Sequence, residues 1–271
     1  MSDVQRWCPD SLWELAEPLI PAAPSRRQGG GRRRTSDRAL LAAMLFAAQA
    51  GCSWWSLPAH LFGTTRATAH RRFSEWTDAG LWVRLHRAML DQLRRHGGLD
   101  FDRAMIDSVQ VRAVKGGNLT GPSPVDRGKP GSKIHVITDR GGLPLAADIS
   151  AANTPDAALL LPLLDALPSV RGRIGRPRRW PGKLHADKAY DQRRLRREIA
   201  ARGIKVRIAR KGVESSQRLG RHRWVVERTM SWLVNYRRLT RRYDRLPEHF
   251  HAFAVIACMM ICYRRLTKIT K

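Results

Sequence analysis

Three acidic residues stand out in a chain that has few of them. The 271 residues include 50 lysines and arginines but only 23 aspartates and glutamates, a formal net charge of +27. Asp107 lies inside AMIDSVQV, Asp187 follows KLHA, and Glu227 lies inside RHRWVVERTMSWLV. Carboxylates are the hard ligands that Mg²⁺ and Mn²⁺ prefer, and two such ions about 3.5–4 Å apart support phosphoryl transfer. The three acids are therefore candidates for a two-metal site.

The basic excess predicts a polyanionic partner, because each neutralised phosphate releases counterions and so drives binding. The positive charge is spread along the whole chain rather than confined to a tail, which favours nucleic acid. On such a surface, phosphate would repel a carboxylate such as Asp187 unless a metal ion lay between them. The alternative is a basic solvated surface without a nucleic-acid partner.

The segments that carry the aspartates have the pattern of strands. Residues 102–114 alternate and are rich in β-branched side chains, and residues 133–150 predict a hairpin with the turn DRGG. KLHADKAY predicts a strand, followed by an amphipathic helix ending at Gly203 and a further strand, IKVRIAR. Consecutive strands followed by alternating helices and strands predict a mixed α/β sheet layered by helices.

The segment around Glu227, RHRWVVERTMSWLVNYRRL, predicts one continuous helix. At 100° per residue, Glu227 shares a face with Arg223 and Arg238, next to an apolar stripe suited to packing. Acids on a strand, after a strand and on a helix can converge at one sheet edge.

Each acid also has a purely structural interpretation. Asp187 can cap a turn, or Asp191 can cap the helix that follows it. Glu227 can be an ordinary ion-pair partner of Arg223 or Arg228. Tyr190 and Trp232 could stack on an unpaired base, although aromatic side chains more often serve packing.

The first 98 residues predict helices. WSLPAHLFG and TRATAHRRFSEWTDAG predict a short helix, a turn at Gly63, and a second helix opened by Thr64 or Thr65. This pair has helix-turn-helix dimensions, and its second helix could lie in a major groove. Packing between helices is the alternative. The candidate DNA-reading residues on that second helix are Arg66, His70, Arg71 and Arg72.

The most apolar run, HAFAVIACMMICY (251–263), is too short for a membrane span and is followed by Arg264 and Arg265. It predicts a core helix. The start of the sequence has no basic region followed by an apolar one, so we expect a cytoplasmic protein without a membrane partner.

The order of these motifs resembles that of DDE-type transposases of bacterial insertion sequences, most closely the insertion-sequence-five family. LWELAEPLIP, RALLAAMLFAAQAGCSWWSLP and RRFSEWTDAGLW resemble that family's N-terminal helical domain. MIDSVQVRA, GPSPVDRGKPGSKIHVITDRGGLPL and LHADKAYD resemble its catalytic core, and RWVVERTMSWLVNYRRL resembles its last signature. The resemblance covers nearly the whole chain.

The resemblance implies a ribonuclease-H-like catalytic domain over residues 99–271, preceded by a helix-turn-helix-like, all-α DNA-binding domain over residues 1–98. It makes Asp107, Asp187 and Glu227 the catalytic and metal-binding residues. It also implies two Mg²⁺ ions, for which Mn²⁺ can substitute. The spacings are 80 and 40 residues (187 − 107 and 227 − 187).

One signature of related enzymes, Y-x-x-R-x-x-x-E-x-x-x-x-x-x-K, is only partly present. Its Arg falls on Arg223, whereas Gly220 and Val234 occupy the Tyr and Lys positions. Arg238, one turn further along the face of Glu227, could replace the missing Lys.

The implied reaction is cleavage at the terminal inverted repeats of an element, followed by attack of a 3′-hydroxyl on target DNA. Double-stranded DNA is then the partner, bound by a homodimer or higher oligomer. Other interpretations are an inactive repressor, a two-metal nuclease that does not join ends, and a structural nucleoid or ribosomal protein. Residues near Asp187 that could hold phosphates are Lys183, Lys188, Arg193 and Arg194.

Overall fold

A mixed seven-stranded sheet forms the centre of the computed structural model, which describes residues 2–22, 34–210 and 216–270, with backbone alone over 216–223. Its strands are β1 (Ala104–Ala113), β2 (Gly121–Pro122), β3 (Pro130–Thr138), β4 (Pro144–Ala151), β5 (Lys183–Ala186), β6 (Lys205–Ile208) and β7 (Arg241–Arg242).

The five longer strands lie in the order β4–β3–β1–β5–β6. β1, β3 and β4 are antiparallel neighbours, whereas β5 and β6 continue the sheet parallel to β1. The two-residue strands β2 and β7 pair with β3 and β1. Three antiparallel strands extended by two parallel ones form a ribonuclease-H-like sheet, which confirms the predicted fold class.

Helices surround this sheet. α6 packs against β3 and β4, α7 against β6, α8 against β1, and α9 against β4 and α5. In the described residues the helices are α1 (Asp3–Trp7), α2 (Asp10–Ala16), α3 (Asp37–Ala50), α4 (Arg66–Asp78), α5 (Leu81–Arg95), α6 (Leu160–Asp165), α7 (Arg193–Ala201), α8 (Ser216–Val234) and α9 (Pro247–Ile269).

The N-terminal helices share one hydrophobic core with the rest of the chain. α3, α4 and α5 all pack against α9, whose apolar run is buried as predicted. α3 ends at Gly51, whose left-handed φ of 71° closes the helix. A Cβ at Gly51 would lie only 2.6 Å from the Cβ of Arg237, so glycine is also needed for close packing. The predicted domain boundary at residue 98 stays a prediction.

Several predicted elements are shorter than the sequence pattern suggested. The KLHADKAY strand stops at Ala186, and a 3₁₀ helix (Lys188–Tyr190) follows. The helix of Glu227 stops at Val234, before a 3₁₀ helix (Arg237–Leu239) and β7. The first element of the helix-turn-helix pair is a 3₁₀ helix (Ala59–Phe62) rather than an α-helix. No helix in the described ranges is both long and apolar enough to cross a membrane.

Candidate functional site

The central sheet brings the two candidate aspartates level with each other. β1 and β5 run parallel, with Met105 opposite His185. Continuing that register by two residues places Asp107 level with Asp187, and the alternation of side chains puts both on the same face. Neighbouring strands lie about 4.8 Å apart, so the two aspartates are close together. They lie at the end of the sheet where β5 stops.

Each aspartate is held by the backbone immediately after it. Asp107 Oδ1 accepts a hydrogen bond from the amide of Ser108 at 2.8 Å, and Asp187 Oδ1 accepts one from the amide of Lys188. Asp187 is thus the N-cap of the 3₁₀ helix that follows β5. Asp191 is not the cap of α7, because that position belongs to Gln192. Capping fixes the Asp187 carboxylate and leaves it half-buried beside Asp107.

Tyr190 provides a second indication that the aspartates are close. Its side chain is buried, and the hydroxyl has no hydrogen-bond partner among the described residues. Burial raises the pKa of this phenol, and the negative charges of Asp156, Asp107 and Asp187 raise it further. Both candidate aspartates therefore act on one buried phenol, in agreement with the strand register. The enclosed ring of Tyr190 serves packing, which is the alternative that the sequence favoured over stacking on a base.

Glu227 lies on α8, on the side that faces solvent. The buried Thr229 holds the helix by donating from Oγ1 to the carbonyl of Gly142 at 2.6 Å, and Arg228 donates to the carbonyl of Gly141 at 2.6 Å. Nowhere in the described residues do three His, Cys, Asp or Glu side chains form a group that could hold a metal ion. The structure thus pairs the aspartates but does not add Glu227 to them.

The donor chemistry of the aspartate pair fits a hard divalent cation. Two carboxylates on adjacent strands supply the oxygen ligands that Mg²⁺ and Mn²⁺ take, and their half-buried setting limits competition from water. Such ions are often bound by only one or two carboxylates plus substrate phosphate. The pair alone is therefore a partial site that substrate oxygens and a third carboxylate would complete.

The second helix of the helix-turn-helix pair begins where the sequence predicted. Thr65 caps α4 by accepting from the amide of Thr68 at 3.1 Å, so the helix starts at Arg66. Arg66 is exposed, with its guanidinium 5.2 Å from the centre of the exposed Trp55 ring. Arg71 is also exposed and makes only a loose ion pair with Glu75, at 3.7 Å. Arg66 and Arg71 remain predicted DNA contacts.

Arg72 and His70 on α4 contact other parts of the protein. The prediction that Arg72 reads DNA is wrong, because its side chain is buried and pairs with Glu75 at 3.2 Å and Asp37 at 3.7 Å. His70 packs against Trp54, with ring centres 5.2 Å apart, and burial lowers its pKa. The imidazole edge of His70 stays accessible, so it remains a predicted DNA contact.

Arg238 is not available to replace the missing lysine of the signature. It lies beyond the end of α8, is buried, and donates to Asp244 at 2.8 Å and to the carbonyl of Cys52 at 2.8 Å. The helix break after Val234 removes Arg238 from the face of Glu227. The side chain of Arg223 lies outside the described residues, so its predicted contact stays a prediction.

The basic residues around Asp187 have different surroundings. Lys183 lies 3.5 Å from Asp102 at the start of β5, and Lys188 is half-buried next to Asp187. Arg193 and Arg194 are exposed in the first turn of α7. All four stay predicted phosphate contacts.

A basic cavity, which was not predicted from the sequence, lies between α8 and α9. Its volume is about 580 Å³. The guanidinium of Arg228 lies 4.8 Å from the Trp224 ring and 4.6 Å from the Trp232 ring. The detectable signal is the spacing of Trp224, Arg228 and Trp232, four residues apart and therefore on one helix face. The lining residues include Gly141, Arg228, Trp232, Arg264, Arg265 and Lys268.

Comparisons with known proteins cover both halves of the chain. Residues 8–86 match a family described as proposed transposases of the IS4/5 family, and residues 98–263 match the family described as a transposase DDE domain. The proposed transposase of insertion sequence element IS402 from Burkholderia cepacia is 46% identical over 149 residues, 55% of this chain and 71% of the relative. An uncharacterized 16.2 kDa protein of IS402 from Burkholderia cepacia is 41% identical over 116 residues, 42% of this chain and 79% of that protein.

Among solved structures, the Mos1 strand transfer complex aligns over 92% of this chain and 82% of that chain, with a TM-score of 0.31 and 12% identity. A pre-cleavage Mos1 transpososome aligns over 91% and 82%, with a TM-score of 0.27 and 11% identity. Similarity at this level does not bear on activity. The DDE-domain match, in contrast, spans more than half of the chain. The chain therefore belongs to the DDE transposases, in the IS4/5 group of insertion sequences.

Proposed function

We propose that this protein cleaves DNA at the terminal inverted repeats of its insertion sequence and joins the resulting 3′ ends to target DNA. The observation that carries the proposal is the register of the parallel strands β1 and β5, which puts Asp107 on β1 level with Asp187, the residue directly after β5. Family membership supports the reaction class, and the large positive charge supports DNA as the substrate.

The roles of the acids follow from their positions. Asp107 and Asp187 would hold Mg²⁺ or Mn²⁺ between them, and Glu227 would supply a further carboxylate once DNA is bound. The chemistry that two such ions supply when bound is polarisation of the scissile phosphate and activation of the attacking oxygen. Glu227 is exposed on α8, and we propose that bound DNA brings its carboxylate to the metal ions.

The neighbouring residues would position the DNA. The exposed Arg193 and Arg194 at the start of α7 suit backbone phosphates near the acids, and such contacts fix register without reading sequence. Arg66 and Arg71 on α4 suit a groove further along the DNA. Two element ends must be held together for joining, so we also propose that a dimer or higher oligomer forms on DNA.

The test is product mapping with purified protein and a plasmid that carries its gene with native flanking DNA. With Mg²⁺ or Mn²⁺ we expect breaks at fixed flanking positions and joined products. We expect neither with EDTA, nor with the Asp187→Ala variant. The matched control is Asp191→Ala. It removes a carboxylate four residues from Asp187 that forms an ion pair with Arg196 at 2.7 Å and is not assigned to the metal site.

The outcomes separate the alternatives. Breaks without joined products would indicate a nuclease and would overturn the strand-transfer step. Tight binding without breaks, under either metal, would favour a repressor. Loss of activity in Asp191→Ala but not in Asp187→Ala would show that the wrong carboxylate has been assigned.

A further inference from the structure

A second basic surface lies outside both the acidic site and α4. Residues 171–178, RGRIGRPR, form a loop between α6 and β5 that we name the arginine loop. It holds four arginines and no acid. Neither the aspartate pair nor the helix-turn-helix pair explains this segment.

The base of the arginine loop is closed by backbone pairing. Val170 and Arg178 form an antiparallel bridge with two hydrogen bonds of 2.9 Å. The Arg178 guanidinium also donates to the carbonyl of Phe101 at 3.0 Å and lies 5.6 Å from the centre of that buried ring. Arg178 is therefore a structural residue, and the loop leaves the body of the protein at a defined point.

Helix α5 secures the loop from its other side. Arg94 donates to the carbonyls of Val170 and Arg176, and Asp91 Oδ1 accepts from the amide of Arg171 at 2.6 Å. Gly172 packs against Arg94, where an added Cβ would lie 3.2 Å from Nε. A loop held at this many backbone positions presents its tip in one orientation.

The tip is entirely exposed and carries an apolar residue between arginines. Ile174 is 92% exposed, which is unusual for an isoleucine and has no packing role. Arg171, Arg173 and Arg176 are also exposed, and within the described ranges none of their guanidinium groups has a carboxylate partner. Gly175, with φ of +85°, makes the turn directly after Ile174. The tip is thus narrow, basic and apolar at its apex.

This combination suits the minor groove of DNA. The minor groove is about 6 Å wide, too narrow for a helix but open to a thin loop. Narrow A·T-rich segments concentrate negative potential and attract inserted arginines, and apolar wedges between base steps kink the duplex. A loop that contacted only phosphates would not need an exposed isoleucine at its apex.

The location also separates the loop from the chemistry. The arginine loop precedes Lys183 at the start of β5, whereas Asp187 follows the end of that strand. Arg178 anchors the loop to the carbonyl of Phe101, which precedes β1, so the loop lies near the end of these parallel strands that is opposite to Asp187. Contact by the loop would therefore fall away from the cleaved bond.

We propose that the arginine loop inserts into the minor groove of A·T-rich duplex DNA, with Arg173 and Arg176 in the groove and Ile174 as a wedge that bends the duplex. The proposal rests on the proposed function only in taking duplex DNA as the partner.

The test measures binding of the full chain in EDTA, where no cleavage occurs, to duplexes that differ at one six-base-pair window. The window holds A·T, G·C or inosine·C pairs. Inosine lacks the minor-groove amino group of guanine but keeps a guanine-like major groove. We expect duplexes with an A·T or inosine·C window to be bound about tenfold more tightly than the duplex with a G·C window. Fluorescence energy transfer between dyes at the two ends of the duplex should report a bend on binding.

The variants assign this preference to the loop. Replacing Arg171, Arg173 and Arg176 together by Ala should abolish the A·T preference. Ile174→Ala should keep the preference and lose the bend. The matched control replaces three exposed arginines elsewhere, Arg87, Arg95 and Arg245, by Ala, and should weaken binding but keep both preference and bend. Unchanged melting temperatures would confirm that each variant is folded.

Three results would overturn the proposal. Inosine·C could behave like G·C, the triple loop variant could keep the preference, or Ile174→Ala could bend DNA as the wild type does. The last would show that Ile174 is not the wedge that bends the duplex. Because the assay needs no cleavage, these failures leave the transposase proposal intact. If the protein prefers A·T windows but never cuts DNA, the proposal for the arginine loop stands and the proposed transposase activity is overturned.

Discussion

The sheet and α8 hold their acidic residues in different ways. Asp107 is fixed by the pairing of β1 with β3, Asp187 is fixed as the N-cap of the 3₁₀ helix after β5, and each carboxylate accepts a hydrogen bond from the amide that follows it. Glu227 lies on the solvent side of a helix that is attached to the β3–β4 turn through Thr229 and Arg228. One part of the proposed site is built into the centre of the fold, and the other depends on the position of α8.

This difference suggests a division of labour between assembly and control. A site whose ligands were all fixed in the sheet would bind metal and act without regard to DNA. If the third carboxylate arrives only when α8 is seated against bound DNA, chemistry is restricted to the assembled complex. Four predictions test this comparison.

The largest effect is expected from the acids themselves. Asp107→Asn, Asp187→Asn and Glu227→Gln should each reduce cleavage by about 10³-fold or more, equivalent to about 4 kcal/mol. Titration of DNA-free protein with Mn²⁺, followed by electron paramagnetic resonance, should separate them. The aspartate variants should lose Mn²⁺ binding, whereas Glu227→Gln should bind within about twofold of the wild type. Equal loss in all three variants would remove the proposed distinction.

The second prediction concerns the stability of the sheet in acid. Burial lowers the pKa of His135 and of His86 to about 4, from an ordinary 6.5. The unfolded chain therefore binds more protons, and unfolding free energy should fall as pH drops from about 6.5 to about 4, by up to about 3 kcal/mol per histidine. Asp139 opposes this trend, because burial raises its pKa to about 6.

Variants isolate the histidine contribution from that of Asp139. Urea unfolding between pH 7 and pH 4.5 should show a shallower loss of stability in His135→Gln than in the wild type. His86→Gln should behave alike, and the double variant should have the flattest profile. A wild-type slope in His135→Gln would show that this imidazole is not held neutral in the sheet.

The third prediction extends the contrast between enclosed and exposed residues to α4. Arg72→Ala should lower unfolding free energy by about 2 kcal/mol, because it removes a buried guanidinium together with its ion pairs to Asp37 and Glu75. Its neighbour Arg71 is exposed, so Arg71→Ala should cost less than about 0.5 kcal/mol but weaken DNA binding. Chemical denaturation and binding titrations on both variants measure this. A reversal of the two phenotypes would place the wrong side of α4 toward DNA.

The smallest effect is expected where α8 meets the β3–β4 turn. Thr229→Val keeps the shape of the side chain but leaves the Gly142 carbonyl without its donor, at a cost of about 1–2 kcal/mol. The matched control is Thr267→Val, whose hydroxyl bonds an accessible carbonyl on α9. If seating of α8 controls Glu227, Thr229→Val should reduce cleavage more than DNA-free Mn²⁺ binding. A parallel loss of both would show that the sheet and helix are not independent.

The sequence predicted the parts of the site that depend on local pattern. The alternation around Asp107, the DRGG hairpin and the strand before Asp187 are confirmed, as are the cap at Thr65 and the buried run of α9. Each of these follows from side-chain periodicity or capping chemistry within a few residues. The three catalytic assignments themselves stay predictions.

The wrong predictions concern residues whose surroundings come from distant segments. Helical periodicity places Arg72, but not Arg71, on the buried stripe of Ala69, Phe73 and Trp76. What the local pattern does not show is the ion pair of Arg72 with Asp37 on α3, which partners the buried guanidinium. Arg238 likewise departs from the Glu227 face because Cys52 and Asp244 bind it after the helix ends. The arginine loop was overlooked because its composition alone does not show which arginines anchor it and which are exposed.

The position of α9 has a consequence for the order in which the protein can fold. Helices α3, α4 and α5 leave the ribosome before any strand of the sheet, yet the surface they bury belongs to α9, which is translated after the whole sheet. Until residues 247–269 emerge, these helices lack their main apolar partner and cannot complete their core. A nascent chain would therefore gain its proposed DNA-binding surface late, almost together with its proposed acidic site. Prematurely terminated products would have neither.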